Sequence, residues 1–421
     1  MPHLLANEDV EIVGVVDSSP LPKSTLSSAP LLSLPELSKK YKCRYYSSVE
    51  DMLADSDVGP ALDGAIVATS HASHFRVGMA LLREGLRRRD ERKRESNCTV
   101  VAENKSSRPH RFHRPLHILM EKPMTCSVDE ALELYNMSMK YPESAFVINH
   151  TASYRPQTFV AKEIISSGQL GDIRHITATM NGGLMWLFDD EKNESWVSKT
   201  PWQNGENKTP MNGNGYAWGQ LAHILAWIYA VLGEDVAVPT KVFCNMTHSI
   251  KTGADISLAA VITCKDGITF SIAGTALLPG SQYADPPVGK RINVEIFGTN
   301  GCLLWGGDDR IPESGRLEVR RSLPGKKEDG QSHFPCSREK IGNELNDGFY
   351  FEDGNQDGKG PGSMNVFLEA CKSALRKKEG NQLADEVELA PVPNDSLIGL
   401  RTVQIIDAMY QSAISGDAVT V

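Results

Sequence analysis

The first 150 residues alternate short apolar runs with helix-like segments, and this alternation constrains the fold more than any other feature. The apolar runs are VEIVGVV, LDGAIVATS, HILMEKP and SAFVINH. Continuous apolar runs of this length, without polar alternation, are typical of strands buried on both faces of a parallel sheet. The segments between them have helical spacing, with helices predicted to begin near Pro35 and at Ser47 or Ser48. The sequence therefore predicts βαβ units in a doubly wound parallel sheet.

After residue 150 the pattern changes to strand-like segments that follow one another closely. The predicted strands are IRHITATM, TKVFCNM, ADISLAAVITC, GITFSIAGTAL, NVEIFGT and GCLLWGG. Lys265-Asp266-Gly267 and Thr299-Asn300-Gly301 are typical hairpin turns. One long helix, AWGQLAHILAWIYAVLG, is inserted early, and two helices close the chain. We predict an α/β domain over residues 1–150 and an α+β domain over 151–421, with an open-faced, mostly antiparallel sheet carrying helices on one face.

Residues 86–116 interrupt the first domain with a basic, polar stretch that has no periodicity. We predict that the preceding helix ends at Gly85 and that the stretch is a disordered surface loop or retained non-coding sequence. A nuclear-localisation or nucleic-acid-binding patch is the alternative.

Charge and cysteine usage exclude several classes of function. The net charge of −9 argues against a general role at nucleic acids or at membrane surfaces. No apolar run approaches the length of a membrane span. The eight cysteines are scattered without a C-x-x-C pair, which predicts reduced thiols, no metal site and an intracellular, cytoplasmic location. We expect a small-molecule partner, and neither nucleic acid nor membrane.

Two side chains are suited to proton transfer. Lys122 directly follows the strand HILM, so we expect it at the carboxyl end of a parallel strand, where doubly wound sheets bind ligands. A desolvated ammonium at such a place exchanges protons with a substrate hydroxyl more readily, whereas a surface lysine is the alternative interpretation. His223 lies on the inserted helix, away from its predicted core face, and follows the Gly- and Asn-rich segment MNGNGYAWGQ. A solvated histidine is the alternative there.

The order of these motifs resembles the glucose-fructose oxidoreductase / inositol dehydrogenase (Gfo/Idh/MocA) family of nicotinamide-dependent dehydrogenases. NEDVEIVGVVD is similar to the family's second strand with its ribose-binding acid, AIVATSHASHF to the turn beneath the nicotinamide, and HILMEKPMT to its Glu-Lys-Pro segment. SYRPQTFVAKEIISSGQLGDIRHI, IFGTNGCLLW and DAMYQSAISGDAVTV are similar to its second domain. The resemblance implies a Rossmann-like dinucleotide-binding domain and a second domain that makes a homo-oligomer contact through its open sheet face.

The resemblance also implies an activity and a role for individual residues. A hydride would pass between the nicotinamide and a secondary alcohol or carbonyl of a sugar, polyol or related molecule. Lys122 would carry the hydroxyl proton, and His223 would orient the substrate or share the proton transfer. The implied cofactor-binding residues are Asp17, Ser18, Thr69, Ser70, His71, His74, Glu121 and Lys122. The implied substrate-binding residues are Asn149, Tyr154, Arg155, Trp218, Gln220 and His223.

Asp17 also bears on the choice of cofactor. Its carboxylate would repel a 2′-phosphate, and the following Ser18 and Ser19 supply no arginine to bind one. NAD is therefore expected, with NADP as the alternative.

Three features depart from the family pattern. Only nine residues precede Val10, so we expect the family's first strand and G-x-G-x-x-G turn, about 25 residues of the βαβ unit, to be missing through a truncated gene prediction or a shortened isoform. Gly219 stands four residues before His223, where the family often has aspartate. The stretch 86–116 comes immediately before the strand of Lys122. Two alternatives to an active enzyme therefore stay open: a non-catalytic, dinucleotide-sensing regulatory protein of the same fold, and an inactive fragment.

Overall fold

The computed structural model describes residues 2–22, 31–98, 114–193, 215–233, 235–281, 284–323, 336–340, 362–376 and 394–421. The chain divides into two compact units. Unit 1 consists of Met1–Thr125, Asp129–Asn149 and Asn355–Leu397, and unit 2 of Cys126–Val128, His150–Gly354 and Ile398–Val421. The segment Asn355–Leu397 thus belongs to unit 1, although the sequence-based division placed it in the second domain.

The described residues include ten α-helices. They are α1 (Pro2–Leu5), α2 (Leu34–Tyr41), α3 (Val49–Ala54), α4 (His74–Cys98), α5 (Val128–Met139), α6 (Pro156–Ser166), α7 (Met185–Phe188), α8 (Ala222–Leu232), α9 (Gly362–Arg376) and α10 (Ser396–Ser415). Ser33 forms a capping box at α2, and Ser48 accepts a hydrogen bond from the Asp51 N–H in the first turn of α3, which confirms both predicted starts. Within the described ranges, none of the helices combines the length and apolar character needed to span a bilayer.

Unit 1 contains parallel strands in two sheets, which confirms the predicted α/β class of this part of the chain. The strands are β1 (Gly14–Val16), β2 (Arg44–Tyr46), β3 (Gly64–Val67), β4 (His117–Met120) and β5 (Phe146–Ile148). β1 pairs with β2, and β3, β4 and β5 pair in that order. Among the described residues, no strand joins the two sheets. β4 and β5 are buried throughout, whereas Ile66 in β3 is 39% exposed.

Helix α4 is longer than the sequence predicts, and Gly85 does not end it. The helix continues to Cys98. A Cβ added at Gly85 would lie 2.3 Å from Cε1 of the Tyr141 ring, so this glycine permits close packing and makes no turn. The prediction of a helix end at Gly85 is therefore wrong. Residues 99–113 of the predicted insertion lie outside the described residues.

Arg88 explains why the polar stretch after Gly85 stays helical. Its guanidinium is buried and donates to the carbonyl oxygens of Leu62 at 2.8 Å and Gly59 at 2.6 Å, while its Nε donates to Glu84 at 2.9 Å. Charge-assisted bonds of this kind hold a buried guanidinium firmly to the folded chain. For residues 86–98, the prediction of a disordered loop is therefore wrong.

The strands among the described residues of unit 2 form one large sheet. Its strands are β6 (Ile173–Asn181), β7 (Pro239–His248), β8 (Asp255–Cys264), β9 (Thr269–Thr275), β10 (Arg291–Gly298), β11 (Gly301–Asp308), β12 (Ile311–Ser322), β13 (Cys336–Lys340) and β14 (Val419–Thr420). They lie in the order β13-β12-β11-β10-β6-β9-β8-β7-β14, and every neighbouring pair is antiparallel except β6 and β9. The predicted hairpin turns connect β8 to β9 and β10 to β11. The mostly antiparallel sheet is thus confirmed.

One face of this sheet is covered and the other is open. Buried and exposed residues alternate along β7 and β8, with Phe243 40% and Val261 51% exposed on the open face. On the covered face, Trp305 of β11 stacks on Trp227 of α8 with ring centroids 3.9 Å apart. The oligomer contact predicted for the open face stays a prediction.

Candidate active site

Three strands of unit 1 end at the same edge of their sheet, and predicted site residues follow each of them. The register pairs Val67 with Met120 and Met120 with Ile148, so the segments after β3, β4 and β5 leave the sheet side by side. These segments carry the exposed Thr69 and Ser70, and the half-buried His71, Glu121, Lys122 and Asn149. The structure therefore brings these predicted site residues to the edge at which parallel sheets bind ligands.

A chain of hydrogen bonds runs along this edge. The backbone N–H of Asn149 donates to the Met120 carbonyl at 2.7 Å, and its Nδ2 donates to Oε1 of Glu121 at 2.6 Å. Its Oδ1 accepts a hydrogen bond from Oγ of the buried Ser363 at 2.5 Å. Both polar atoms of the Asn149 amide are thus engaged within unit 1. Ser363 lies at the start of α9, and no local sequence motif connects it to this edge, so the sequence alone does not indicate it.

His74 lies beneath the edge and has no exposed surface. Its Nδ1 is 2.8 Å from the Pro123 carbonyl oxygen, and its Nε2 is 3.2 Å from the Thr69 carbonyl oxygen. Burial lowers the pKa of this imidazole, and the two carbonyl bonds oppose that shift. The ring is fully covered and both of its nitrogens face backbone carbonyls of unit 1, and the cofactor contact implied for it stays a prediction.

Asp17 follows β1, in the two-stranded sheet of unit 1. Its Oδ1 accepts a hydrogen bond from the Ser19 N–H at 2.8 Å, and its own N–H donates to the Tyr46 carbonyl at 3.2 Å. Ser18 is exposed beside it. The carboxylate is therefore held by the turn at the carboxyl end of the strand, which is the position predicted for a ribose-binding acid.

In unit 2, a π-helical segment, Ala217–Leu221, leads directly into α8. Such segments are rare and often occur at functional sites. Every residue from Ala217 to Tyr229 is buried, and His223 is 4% exposed. The predicted division of this helix into a core face and a more open His223 face is therefore wrong, because neighbouring elements cover it on all sides.

A second imidazole lies beside His223. The ring of the buried His150 meets the ring of His223 edge to face, with centroids 6.4 Å apart. His150 directly precedes a short 3-10 helix, Thr151–Tyr154, which packs against α8. The half-buried Arg155, also predicted to bind substrate, follows at its end. His150 is not among the predicted site residues, although its place two residues after the buried strand β5 is a signal in the sequence.

Several polar side-chain atoms of the π-helical segment and of the 3-10 helix Thr151–Tyr154 are buried without a hydrogen-bond partner among the described residues. Nε1 of Trp218 and Oε1 of Gln220 have no hydrogen-bond partner within the described part of the chain, and the same holds for Oγ1 of Thr151 and Oγ of Ser153. A buried polar atom without a partner costs about 1–3 kcal/mol. These atoms are therefore suited to bind a polar ligand, and two of them belong to predicted substrate-binding residues.

A buried carboxylate anchors the π-helical segment from below. Asp255 accepts hydrogen bonds from the Ala217 N–H at 2.8 Å and from the Tyr410 hydroxyl at 2.6 Å. Gly215 is required at its place, because its φ is 101° and a Cβ there would lie 1.8 Å from Oδ1 of Asp255. Burial raises the pKa of Asp255 to about 6 in spite of these bonds. Sequence analysis did not identify this residue.

We expect Asp255 to make the stability of the protein depend on pH. Its pKa in the folded state, about 6, lies above its ordinary value of 3.8. The contribution of this shift to the free energy of unfolding is therefore fully present below about pH 4. It is lost as the pH rises from about 4 through 6, and the total loss is about 3 kcal/mol. Asp255→Asn should remove this decrease of stability with pH, measured as the change of the unfolding midpoint from pH 4 to about pH 7. Asp266→Asn, in an exposed turn, is the matched control, and a wild-type slope in Asp255→Asn would contradict the expectation.

Comparisons with known proteins extend over nearly all of the chain. Residues 160–304 match the family model described as the GFO/IDH/MocA C-terminal domain. No curated protein sequence gives a significant match. Levoglucosan dehydrogenase, solved with NADH and levoglucosan, is 15% identical, with 98% of this chain and 90% of that chain covered and a TM-score of 0.58.

Two further solved structures are similar to the same extent. The WlbA dehydrogenase from Chromobacterium violaceum, solved with NADH and UDP-GlcNAcA, is 16% identical, with 100% of this chain and 91% of that chain covered and a TM-score of 0.60. GenD2 from gentamicin A biosynthesis, solved with NAD, is 17% identical, with 100% and 91% covered and a TM-score of 0.57. These likenesses confirm the predicted fold, and the family match confirms the predicted resemblance for residues 160–304.

Proposed function

We propose that this chain, whose residues 160–304 form a GFO/IDH/MocA C-terminal domain, is a nicotinamide-dependent oxidoreductase that acts on a secondary alcohol or carbonyl of a sugar, polyol or related small molecule. The observation that carries the proposal is the position of Lys122 at the carboxyl edge of β3, β4 and β5, beside other polar residues. Solved proteins of this fold bind NADH or NAD, and two of them were solved with a sugar or a sugar nucleotide, which supports the proposal.

The residues of unit 1 fit two parts of a nicotinamide dinucleotide. The carboxylate of Asp17 suits the hydroxyls of the adenosine ribose, and the exposed Thr69 and Ser70 lie at the same sheet edge as Lys122, where a nicotinamide would bind. Among the described residues before β1, no glycine-rich turn leads into a helix. The residues present therefore do not account for binding of the cofactor's pyrophosphate. NAD is favoured over NADP because Asp17 would repel a 2′-phosphate.

Unit 1 carries the residue proposed for proton transfer. A bound nicotinamide supplies the hydride acceptor or donor. The Nζ of Lys122 takes the hydroxyl proton when an alcohol is oxidised and returns it in the reverse direction. In unit 2, Nε1 of Trp218 donates a hydrogen bond and Oε1 of Gln220 accepts one. A polyhydroxylated ligand both donates and accepts hydrogen bonds, so within unit 2 it satisfies both of these atoms.

A screen of sugars and polyols with NAD⁺ tests this function. We expect saturable formation of NADH with at least one compound, since Lys122 is placed to take the proton. Tight binding of NADH together with no turnover on any compound would instead favour a non-catalytic, dinucleotide-sensing protein. Absence of both binding and turnover would contradict the proposal altogether.

Asp17 gives a sharper test of the cofactor assignment. Asp17→Ser should weaken NADH binding by about tenfold, because it removes charge-assisted bonds to the ribose, and should weaken NADPH binding much less. Fluorescence titration of both cofactors measures this change in preference. Asp9→Ser is the matched control, since Asp9 pairs with Lys372 at 2.8 Å and is not among the site residues. An equal loss for both cofactors would show that Asp17 does not read the 2′ position.

A further inference from the structure

We propose that His74 and Asn149 are positioning residues that hold Lys122 in place by anchoring its two neighbours in the chain. The inference rests on the proposed function, because it explains how the proton carrier is kept at the sheet edge. All the residues concerned belong to unit 1. The roles differ from those implied by the family resemblance, which made His74 a cofactor ligand and Asn149 a substrate ligand.

The residue before Lys122 is held through both its backbone and its side chain. The N–H of Glu121 donates to the Val67 carbonyl at 2.8 Å, which ties it to the end of β3. Its Oε1 accepts the hydrogen bond from Nδ2 of Asn149 at 2.6 Å, which ties it to the end of β5. Ser363 in turn fixes the Asn149 amide by donating to Oδ1. A carboxylate bonded in this way has little freedom to turn, and neither has the backbone that carries it.

The residue after Lys122 is held from the opposite side. The carbonyl oxygen of Pro123 lies 2.8 Å from Nδ1 of His74, so this nitrogen can donate a hydrogen bond to it. The same ring reaches the carbonyl oxygen of Thr69 at 3.2 Å, so it spans from the turn after β3 to the turn after β4. Both Pro123 and His74 are buried, and the ring belongs to the first turn of α4. The imidazole therefore lies between two segments of the edge, and the neutral ring donates its single N–H to the nearer carbonyl, that of Pro123.

Together these contacts fix the backbone on both sides of Lys122. Misplacing a catalytic group by about 1 Å costs roughly a hundredfold in rate. Two anchors are needed because a single one would let the segment pivot about it. The Asn149 amide and both ring nitrogens of His74 face groups of unit 1, so we expect each residue to act through the placement of Lys122.

Turnover of variants tests the two anchors. Asn149→Ala and His74→Leu should each lower kcat by about a hundredfold while the Kd of NADH stays nearly constant, because only the placement of Lys122 changes. His74→Asn should recover at least about tenfold of the loss, since its side-chain amide can replace Nδ1 as the donor to Pro123. Arg76→Ala is the matched control on α4, where Arg76 pairs with the exposed Glu50. Losses no greater than in Arg76→Ala, or no recovery in His74→Asn, would overturn the proposal.

A second measurement tests whether His74 and Asn149 position Lys122, and it does not depend on turnover. The acetylation rate of Lys122 by a small acylating reagent is followed by mass spectrometry, with the unfolding midpoint recorded for every variant. Both anchor variants should label Lys122 several-fold faster than the wild type, and Arg76→Ala should not. Unchanged labelling in folded Asn149→Ala would refute the anchors. If labelling changes but the wild type shows no turnover on any compound, the anchors stand and the proposed function fails.

Discussion

Replacing Lys122 with methionine will reduce kcat by about 10²- to 10⁴-fold, the usual contribution of a general acid or base. Methionine has a similar length and no exchangeable proton. The neighbours of Lys122 are bonded to Asn149 and His74, so the backbone of the segment should not move when the ammonium is lost. The Kd of NADH, measured by fluorescence titration, should therefore change little while turnover falls.

The controls for this variant separate a proton carrier from a binding group. Lys140→Met exchanges an exposed lysine of the same unit at the end of α5 and should retain wild-type turnover. A parallel loss of turnover and NADH affinity in Lys122→Met would make Lys122 a binding residue. Full activity in that variant would rule out Lys122 as the proton carrier.

Replacing Trp227 with alanine will destabilise unit 2 by about 3–5 kcal/mol. The indole is fully buried, stacks on Trp305 at 3.9 Å and donates from Nε1 to Oγ1 of Thr158 at 2.9 Å. Stacking of this kind adds about 0.5–1.5 kcal/mol beyond the burial of the ring. The expected loss is a large share of the 5–15 kcal/mol that typically separates folded from unfolded protein. Thermal unfolding monitored by circular dichroism measures it.

Two further variants identify the source of that loss. Trp227→Phe keeps a buried ring and should lose clearly less stability than Trp227→Ala. Phe159→Ala removes an aromatic ring that is 57% exposed on α6, and surface changes of this kind usually stay within about 0.5 kcal/mol. A destabilisation of Trp227→Ala as small as that of Phe159→Ala would mean that the tryptophan stack contributes little. Because His223 lies on the same helix, turnover should fall together with the unfolding midpoint.

Local patterns were sufficient to predict much of this protein. The strands of both units follow from runs of apolar residues, and the hairpin at Lys265–Gly267 follows from a turn in which Asp266 adopts a φ of 62°. The edge position of Lys122 also follows locally, because it comes directly after a buried strand. In each case, the deciding interaction is between residues close together in the chain.

The sequence could not predict contacts between distant residues. Gly85 was mistaken for a helix end because the Tyr141 ring that packs against it lies on another segment. The sequence also does not show that Nδ1 of His74 lies against the Pro123 carbonyl, because the two residues are 49 positions apart. The bond between Tyr410 and Asp255 joins residues 155 positions apart. Such pairings are set by the tertiary fold and leave no periodic trace in the sequence.

The bond between Ser363 and Asn149 also has a consequence for biosynthesis. It joins residues 214 positions apart, and most of unit 2, His150–Gly354, is encoded between them. At 5–20 residues per second, the ribosome adds Ser363 roughly 10–40 s after Asn149. During synthesis, unit 1 therefore lacks its last helix, α9, while unit 2 emerges and begins to fold. A stalled or prematurely terminated message would release a chain whose sheet edge around Lys122 was never closed.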